Sequence, residues 1–239
     1  MTVSADIVAR LDELAARFGL PVAAPQQLAL MLELVAAEPS AITSVRSPSE
    51  GVDVHVADSL VALELPAVRD ARRIADLGSG GGFPGLALAI ALPEARVTLV
   101  ESVARKGAFL TAAASRLALA NVSVVPARAE AWREGLGAHD LVTARALASL
   151  PVLVEYAAPL LELGGRLVAW KGRIESDEEA DGRAAAAATG MSEPVAVAAD
   201  PFEGARDRYL YLSSKVSSTP PGYPRRPGMA RKRPIRAST

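Results

Sequence analysis

Cysteine is absent from all 239 residues. That removes disulfides, thiolate metal sites and a cysteine nucleophile together. Histidine is almost absent too. His55 and His139 are too few to build a histidine metal centre, so no metal is expected. Half of the residues are apolar, yet no uninterrupted apolar run approaches the length of a membrane span. Met1 leads into a polar amphipathic segment, not a basic start followed by a hydrophobic stretch, so no export signal is expected. Lysine is scarce, with 4 against 22 arginines, and alanine is abundant. This is the bias of a GC-rich genome, and a bacterial cytoplasmic protein is the expectation.

Acid is missing from one region. Residues 225–239 hold Arg225, Arg226, Arg231, Lys232, Arg233 and Arg236 with no Asp or Glu, while the first 224 carry 20 basic and 27 acidic side chains. The formal net charge of −1 therefore hides an acidic body with a basic tail. Such a tail suits a polyanion such as RNA, or is a solvated end that aids solubility. On the RNA reading, body and tail act separately, and losing the tail leaves the body's ligand site intact.

Glycine is concentrated in one stretch, Asp76-Leu77-Gly78-Ser79-Gly80-Gly81-Gly82-Phe83-Pro84-Gly85. An apolar run, Ile74 to Leu77, precedes it and another, Leu86 to Leu92, follows: strand, tight turn, helix. Glycines 78, 80 and 82 are expected at positive φ, with no Cβ between loop and ligand. Asp76 at the strand end repels a pyrophosphate and attracts a ligand carrying a cationic amino group. S-adenosylmethionine carries an ammonium and a sulfonium and no phosphate, so D-x-G-x-G-x-G suits it. Gly80, Gly82 and Gly85 also satisfy G-x-G-x-x-G, with Glu101 downstream as a ribose acid. An NAD(P)-binding oxidoreductase is therefore the alternative, and a loop that merely joins strand to helix is a third.

Residues 4–18 place Ile7, Leu11, Leu14 and Phe18 on one helical face, closed by Gly19 and Pro21. Pro25 opens a second helix, and Ser47-Pro48-Ser49-Glu50 a third that runs through His55 to about Leu65. Residues 1–66 form an N-terminal helical cap over the glycine loop in this reading. From residue 72 strands alternate with helices. Strands are expected at 72–77, 95–101, 122–126, 139–144, 165–170, 194–199 and 207–215, and helices at 83–92, 104–119, 149–162 and 175–188. This pattern predicts an α/β, doubly wound, Rossmann-like sheet with helices on both faces over 67–217. Tyr209-Leu210-Tyr211-Leu212 follows the preceding strand too closely for a crossover. It is expected to run antiparallel, giving a seven-stranded, mostly parallel methyltransferase sheet. Residues 218–239 are the basic RNA-binding tail.

Glu101 ends the second strand, where a carboxylate can accept both ribose hydroxyls, or can simply cap the next helix. Arg128-Ala129-Glu130 follows the third strand, beside the adenine in such a fold. The loop after the fourth strand, Thr143-Ala144-Arg145-Ala146, lacks the N-P-P-Y type motif of amino-group methyltransferases. Without that motif or a cysteine, a nucleophile needing little activation remains, and a ring nitrogen such as guanine N7 is one. Arg145 then binds the base edge or a phosphate, or else bridges to Glu130 or Asp140. His55 and Asp58 lie three apart on one helical face.

In these residues the chain resembles the bacterial methyltransferase G family for small-subunit ribosomal RNA, also called glucose-inhibited division protein B. The resemblance runs from Ile42-Thr43-Ser44-Val45-Arg46 and His55-Val56-Ala57-Asp58-Ser59-Leu60 through Asp76–Gly85, Glu101-Ser102, Arg128-Ala129-Glu130, Thr143-Ala144-Arg145-Ala146 and Lys171-Gly172. It ends at Tyr223-Pro224-Arg225-Arg226-Pro227-Gly228 and Lys232-Arg233-Pro234. Two departures lie in the cap: Ala41-Ile42-Thr43 stands for Asn-Leu-Thr, and Val54 for an arginine. The resemblance implies N7-methylation of one guanine in 16S ribosomal RNA with S-adenosylmethionine as donor. Gly78, Phe83, Ala129, Glu130 and Arg145 are then cofactor contacts beside Asp76, Gly80, Gly82 and Glu101. Arg145 is the catalytic candidate and also faces the guanine, while Arg128, Arg225, Arg226, Lys232 and Arg233 serve the RNA. His55, Asp58 and Ser59 are candidates for lining the pocket. A monomer is expected, and naked RNA and an assembling 30S subunit both stay open as substrate. An RNA-binding module without catalysis is the non-enzyme alternative.

Overall fold

The computed structural model describes residues 3–237. Their order is α1 (Ala5–Phe18), α2 (Ala24–Ala37), α3 (Pro48–Gly51), a π-helical turn (Val52–Ala57), α4 (Asp58–Leu60), a 3-10 turn (Val61–Glu64), α5 (Pro66–Arg69), β1 (Arg73–Leu77), α6 (Gly85–Ala91), β2 (Arg96–Val100), α7 (Ala104–Arg116), β3 (Val122–Val125), a 3-10 turn (Ala129–Ala131), β4 (His139–Arg145), α8 (Leu150–Ala157), β5 (Leu161–Lys171), α9 (Ser176–Thr189), β6 (Val195–Ala198), β7 (Tyr209–Ser214) and α10 (Met229–Lys232). The strands form one sheet in the order β3-β2-β1-β4-β5-β7-β6. The first five are mutually parallel, and β7 runs antiparallel to both β5 and β6. This is the α/β, doubly wound, seven-stranded sheet that the strand–helix alternation predicts. Strand order reverses between β1 and β4, and the crevice at their carboxyl ends is the usual ligand position in such sheets.

Because successive strand residues point to opposite faces, each strand feeds two cores. Ile74, Leu141, Val168 and Leu210 pack with α1, α2, α6 and α7 on one side. Ala75, Val142, Leu167 and Tyr211 pack with α8 and α9 on the other. The N-terminal helices thus share a core with the sheet. Their link to the site is residues 42–58, where the Ile42 carbonyl and Thr43 lie beside Gly80 and Gly81.

Three expectations need correction. The helix expected over 149–162 ends at Ala157, and Leu161 already pairs with His139 in β5. Pro159 explains the early stop: Ala158 is still helical at φ −51° and ψ −46°, but the proline brings no N–H to bond the Glu155 carbonyl. The third helix is not continuous, because a π turn interrupts it at Val52–Ala57. The tail, finally, is folded against the body. Arg225 forks onto Glu155 through Nε at 2.8 Å and Nη2 at 2.5 Å, while Glu155 is 1% exposed. A carboxylate buried in α8 needs a cation, and the tail supplies it.

Candidate functional site

The glycine loop turns where expected, with φ of +69° at Gly78, +55° at Gly80 and +92° at Gly82. Gly85 is fixed by close approach: a Cβ there would lie 2.3 Å from Leu99 Cδ2 and 2.6 Å from Asp76 Oδ2. Asp76 is wholly buried beneath this loop. Its Oδ1 accepts from Thr143 Oγ1 at 2.9 Å and its Oδ2 from the Gly85 amide at 3.2 Å. Burial raises its carboxyl to about 6 in spite of those bonds. Asp76 therefore lines no cavity. Its bonds to Thr143 and Gly85 shape the loop.

Two cavities open at the strand ends. The first, of about 400 Å³, is lined by Gly78, Glu101, Arg128, Ala129, Glu130, Tyr156 and Arg231 among others. Glu101 is oriented by two main-chain amides, Gly80 on Oε2 at 3.0 Å and Val103 on Oε1 at 2.8 Å. Glu130 is oriented by the tail, its Oε1 accepting from the Gly228 amide at 2.9 Å and the Tyr156 hydroxyl at 3.4 Å. Burial, then the Glu130 charge, pushes the Tyr156 phenol above its ordinary value.

The second cavity, of about 510 Å³, is lined by Thr43, Ser44, His55, Asp58, Arg145, Trp170, Lys171 and Arg208 among others. Arg145 organises it. Its Nη1 donates to Asp58 Oδ2 at 2.8 Å and to the Val54 carbonyl at 3.2 Å, and its Nη2 lies 3.3 Å from His55 Nδ1. His55 Nε2 is 2.9 Å from the Val45 carbonyl, so that nitrogen carries the proton and Nδ1 accepts from Arg145. Burial lowers the pKa of His55 and keeps the ring neutral. The ring stacks on Phe83 at 4.7 Å and 16°. Asp58 meets a second cation, Arg208 Nε, at 3.8 Å, and its carbonyl accepts from Trp170 Nε1 at 2.6 Å. A π turn commonly marks a functional site, and here it aims His55 and Asp58 at one guanidinium. Ala146 is common to both cavities and sits at φ +53°, a strained conformation for a residue with a side chain.

The structure brings Gly78, Glu101, Arg128, Ala129 and Glu130 together in one cavity and His55, Asp58 and Arg145 in the other. Several expected residues do not reach either. Ser59 is fully buried and donates to the His55 carbonyl at 2.6 Å. Gly80 holds Glu101 from beside the first cavity. Gly82 leaves room for Leu86 and Met31, not for a ligand, and Phe83 acts as the stacking floor under His55. Arg145 pairs with Asp58, not with Glu130 or Asp140; the latter instead accepts the Arg72 and Arg73 amides. Arg225 turns inward, whereas Arg226, Lys232 and Arg233 are exposed. Trp170, Arg208, Tyr156 and Arg231 were not expected as lining residues. Trp170 at the carboxyl end of β5 had a positional signal; the others carry none in their local sequence.

The amides decide which ligand the loop can take. A pyrophosphate would need them at the loop and the start of α6. Here carboxylates occupy both places, Glu101 on Gly80 and Asp76 on Gly85. A third carboxylate, Glu130, stands in the same cavity. That donor set fits a nucleoside without phosphate and argues against a dinucleotide.

A family model described as rRNA small subunit methyltransferase G matches residues 26–201. The ribosomal RNA small subunit methyltransferase G of Rubrobacter xylanophilus is 44% identical over 201 residues, covering 82% of this chain and 77% of that protein. The protein of the same name from Desulfitobacterium hafniense is 40% identical over 200 residues, covering 81% of each. Among solved structures, the S-adenosylmethionine-dependent methyltransferase SibL superposes with a TM-score of 0.57 at 16% identity, over 90% of this chain and 71% of that one. A SAM-dependent O-methyltransferase from Thermotoga maritima gives 0.54 at 14% identity, over 80% and 72%. These two likenesses establish a shared fold.

Proposed function

The chain belongs to the rRNA small subunit methyltransferase G family, and from that premise we propose that it methylates N7 of one guanine in 16S ribosomal RNA with S-adenosylmethionine as donor. When bound, the donor supplies a methyl group on a sulfonium cation. Glu101 accepts its ribose hydroxyls, and the Ala129 amide and Glu130 flank its adenine. The second cavity takes the guanine between Arg145, Trp170 and Arg208. Arg128 and the outward Arg226, Lys232 and Arg233 hold the RNA backbone. Among the described residues no helix is long and apolar enough to cross a membrane, and the reading places a monomeric enzyme with ribosomes in the cytoplasm.

The observation that supports the choice of atom is that the imidazole, the carboxylate and the amine lining this cavity are already engaged. Both nitrogens of His55 are bonded, Asp58 is paired with Arg145, and Lys171 with Glu178 at 2.7 Å. The N7 lone pair of guanine is free at neutral pH, so no proton has to leave before transfer. The chain's task is alignment, and Arg145, held on three sides, supplies it.

N7-methylated guanine is a fixed cation whose strand breaks after borohydride and aniline. RNA from cells lacking the protein should lose one such cleavage, and purified protein with the methyl donor should restore it. Deproteinised 16S RNA and 30S particles offered in parallel identify the form modified. Methyl groups found on an adenine or a ribose oxygen would overturn the choice of atom. Tight NADH binding without S-adenosylhomocysteine binding would favour the oxidoreductase. RNA binding without methyl transfer would leave a binding module.

A further inference from the structure

The tail has two faces, and they look at different ligands. Its inner face belongs to the cofactor cavity. Arg225 anchors it on the buried Glu155, the Gly228 amide donates to Glu130 at 2.9 Å, and Arg231 Nη2 donates to the Leu147 carbonyl at 2.8 Å. Leu147, Glu130 and Arg231 all line the first cavity. The segment 225–231 thus runs from α8 across the 3-10 turn at Ala129–Ala131 to the loop after β4, and it closes the wall beside Glu130. Its outer face exposes Arg226, Lys232, Arg233 and Arg236 with no acid between them, and Arg231, also exposed, stands at the edge where the two faces meet. One short segment therefore presents a wall to a small nucleoside and a row of cations to a polyanion.

We propose that the C-terminal segment is a strap that joins the two substrates: Arg231 positions the cofactor at its adenine end, and RNA drawn to the outer cations presses the strap onto the filled cavity. This rests on the cofactor assignment above. Arg231 is a positioning residue: it braces Leu147, next to the strained Ala146 that both cavities share, and touches no reacting atom. Because binding free energies are reciprocal, RNA must tighten cofactor binding by the same factor by which cofactor tightens RNA binding.

The test is calorimetric titration of S-adenosylhomocysteine into the full chain, alone and with deproteinised 16S RNA. RNA should lower its Kd several-fold in the parent protein. Arg231→Ala should raise the Kd about tenfold without RNA, abolish the tightening by RNA, and raise KM for S-adenosylmethionine more than it changes kcat. It keeps the Arg225 anchor, so it avoids the unfolding that removal of residues 221–239 invites; an unchanged melting temperature checks this. An unchanged Kd in Arg231→Ala, or a parent Kd indifferent to RNA, overturns the strap. A parent chain that binds no S-adenosylhomocysteine overturns the cofactor assignment and the strap with it.

Discussion

The two cavities meet at Ala146, yet they are built by opposite means. In the cavity proposed for the cofactor the carboxylates are oriented by main-chain amides: Gly80 and Val103 on Glu101, Gly228 on Glu130. In the cavity proposed for the guanine the charged groups hold one another, Arg145 on Asp58 and His55, with Arg208 behind. Amides stay in place when a side chain changes, so damage in the first cavity should remain local. Side chains that define each other's positions fail as a set, so damage in the second should spread. Most of the first cavity's walls are loops that follow β1 to β4, with Tyr156 of α8 and Arg231 of the tail added to them. The second draws on Thr43, His55, Arg145, Trp170 and Arg208, which come together only through the sheet.

The largest departure from this contrast is the tail, where the cofactor cavity too depends on a side-chain pair. Arg225→Ala strands the Glu155 carboxylate at 1% exposure and should cost about 4 kcal/mol of stability. Denaturant unfolding measures it, and a cost below 1 kcal/mol would mean that water reaches Glu155. Next is Asp76, beneath the glycine loop. Its folded value of about 6 exceeds the ordinary 3.8, so the folded chain binds that proton more tightly than the unfolded one. Stability should therefore fall as pH rises from 4 to 6 and then level, by up to about 3 kcal/mol. Asp76→Asn should remove that slope, and unfolding curves at pH 4, 5, 6 and 7 for both proteins isolate it.

The contrast itself is sharpened by a matched pair. Arg145→Lys keeps the charge but loses the fork that reaches Asp58 and His55 together, and should lower kcat about a hundredfold. Glu101→Gln should weaken S-adenosylhomocysteine binding about tenfold and leave kcat at saturating donor nearly unchanged, because Gly80 and Val103 still hold the side chain. Equal losses of kcat in the two variants would erase the distinction between the cavities. The smallest effect is at their junction. Ala146→Gly relieves the left-handed backbone and should gain about 1 kcal/mol in stability. Slower methyl transfer in this more stable protein would show that the strain is used.

The order of strands and helices, the glycine turn and the antiparallel seventh strand were legible in the chain because each depends on neighbours in sequence. Alternation within Tyr209–Leu212, positive φ at glycines and the apolar runs around Asp76 are local matters, settled by backbone sterics and hydrophobic period. That Glu101, Ala129 and Glu130 would line one cavity was legible for the same reason, as strand-end positions. Partnership was not. Nothing beside Arg225 in sequence distinguishes it from Arg226, yet one is neutralised by a glutamate 70 residues earlier and the other stays in solvent. Nothing beside Asp76 says that its oxygens will be consumed by Thr143 and Gly85, or that Arg145 will choose Asp58 over Asp140. A buried charge takes whichever counter-charge the packing brings within about 4 Å, because leaving it unpaired costs several kcal/mol. Composition sets how many charges need partners, and the folded chain alone sets which ones meet.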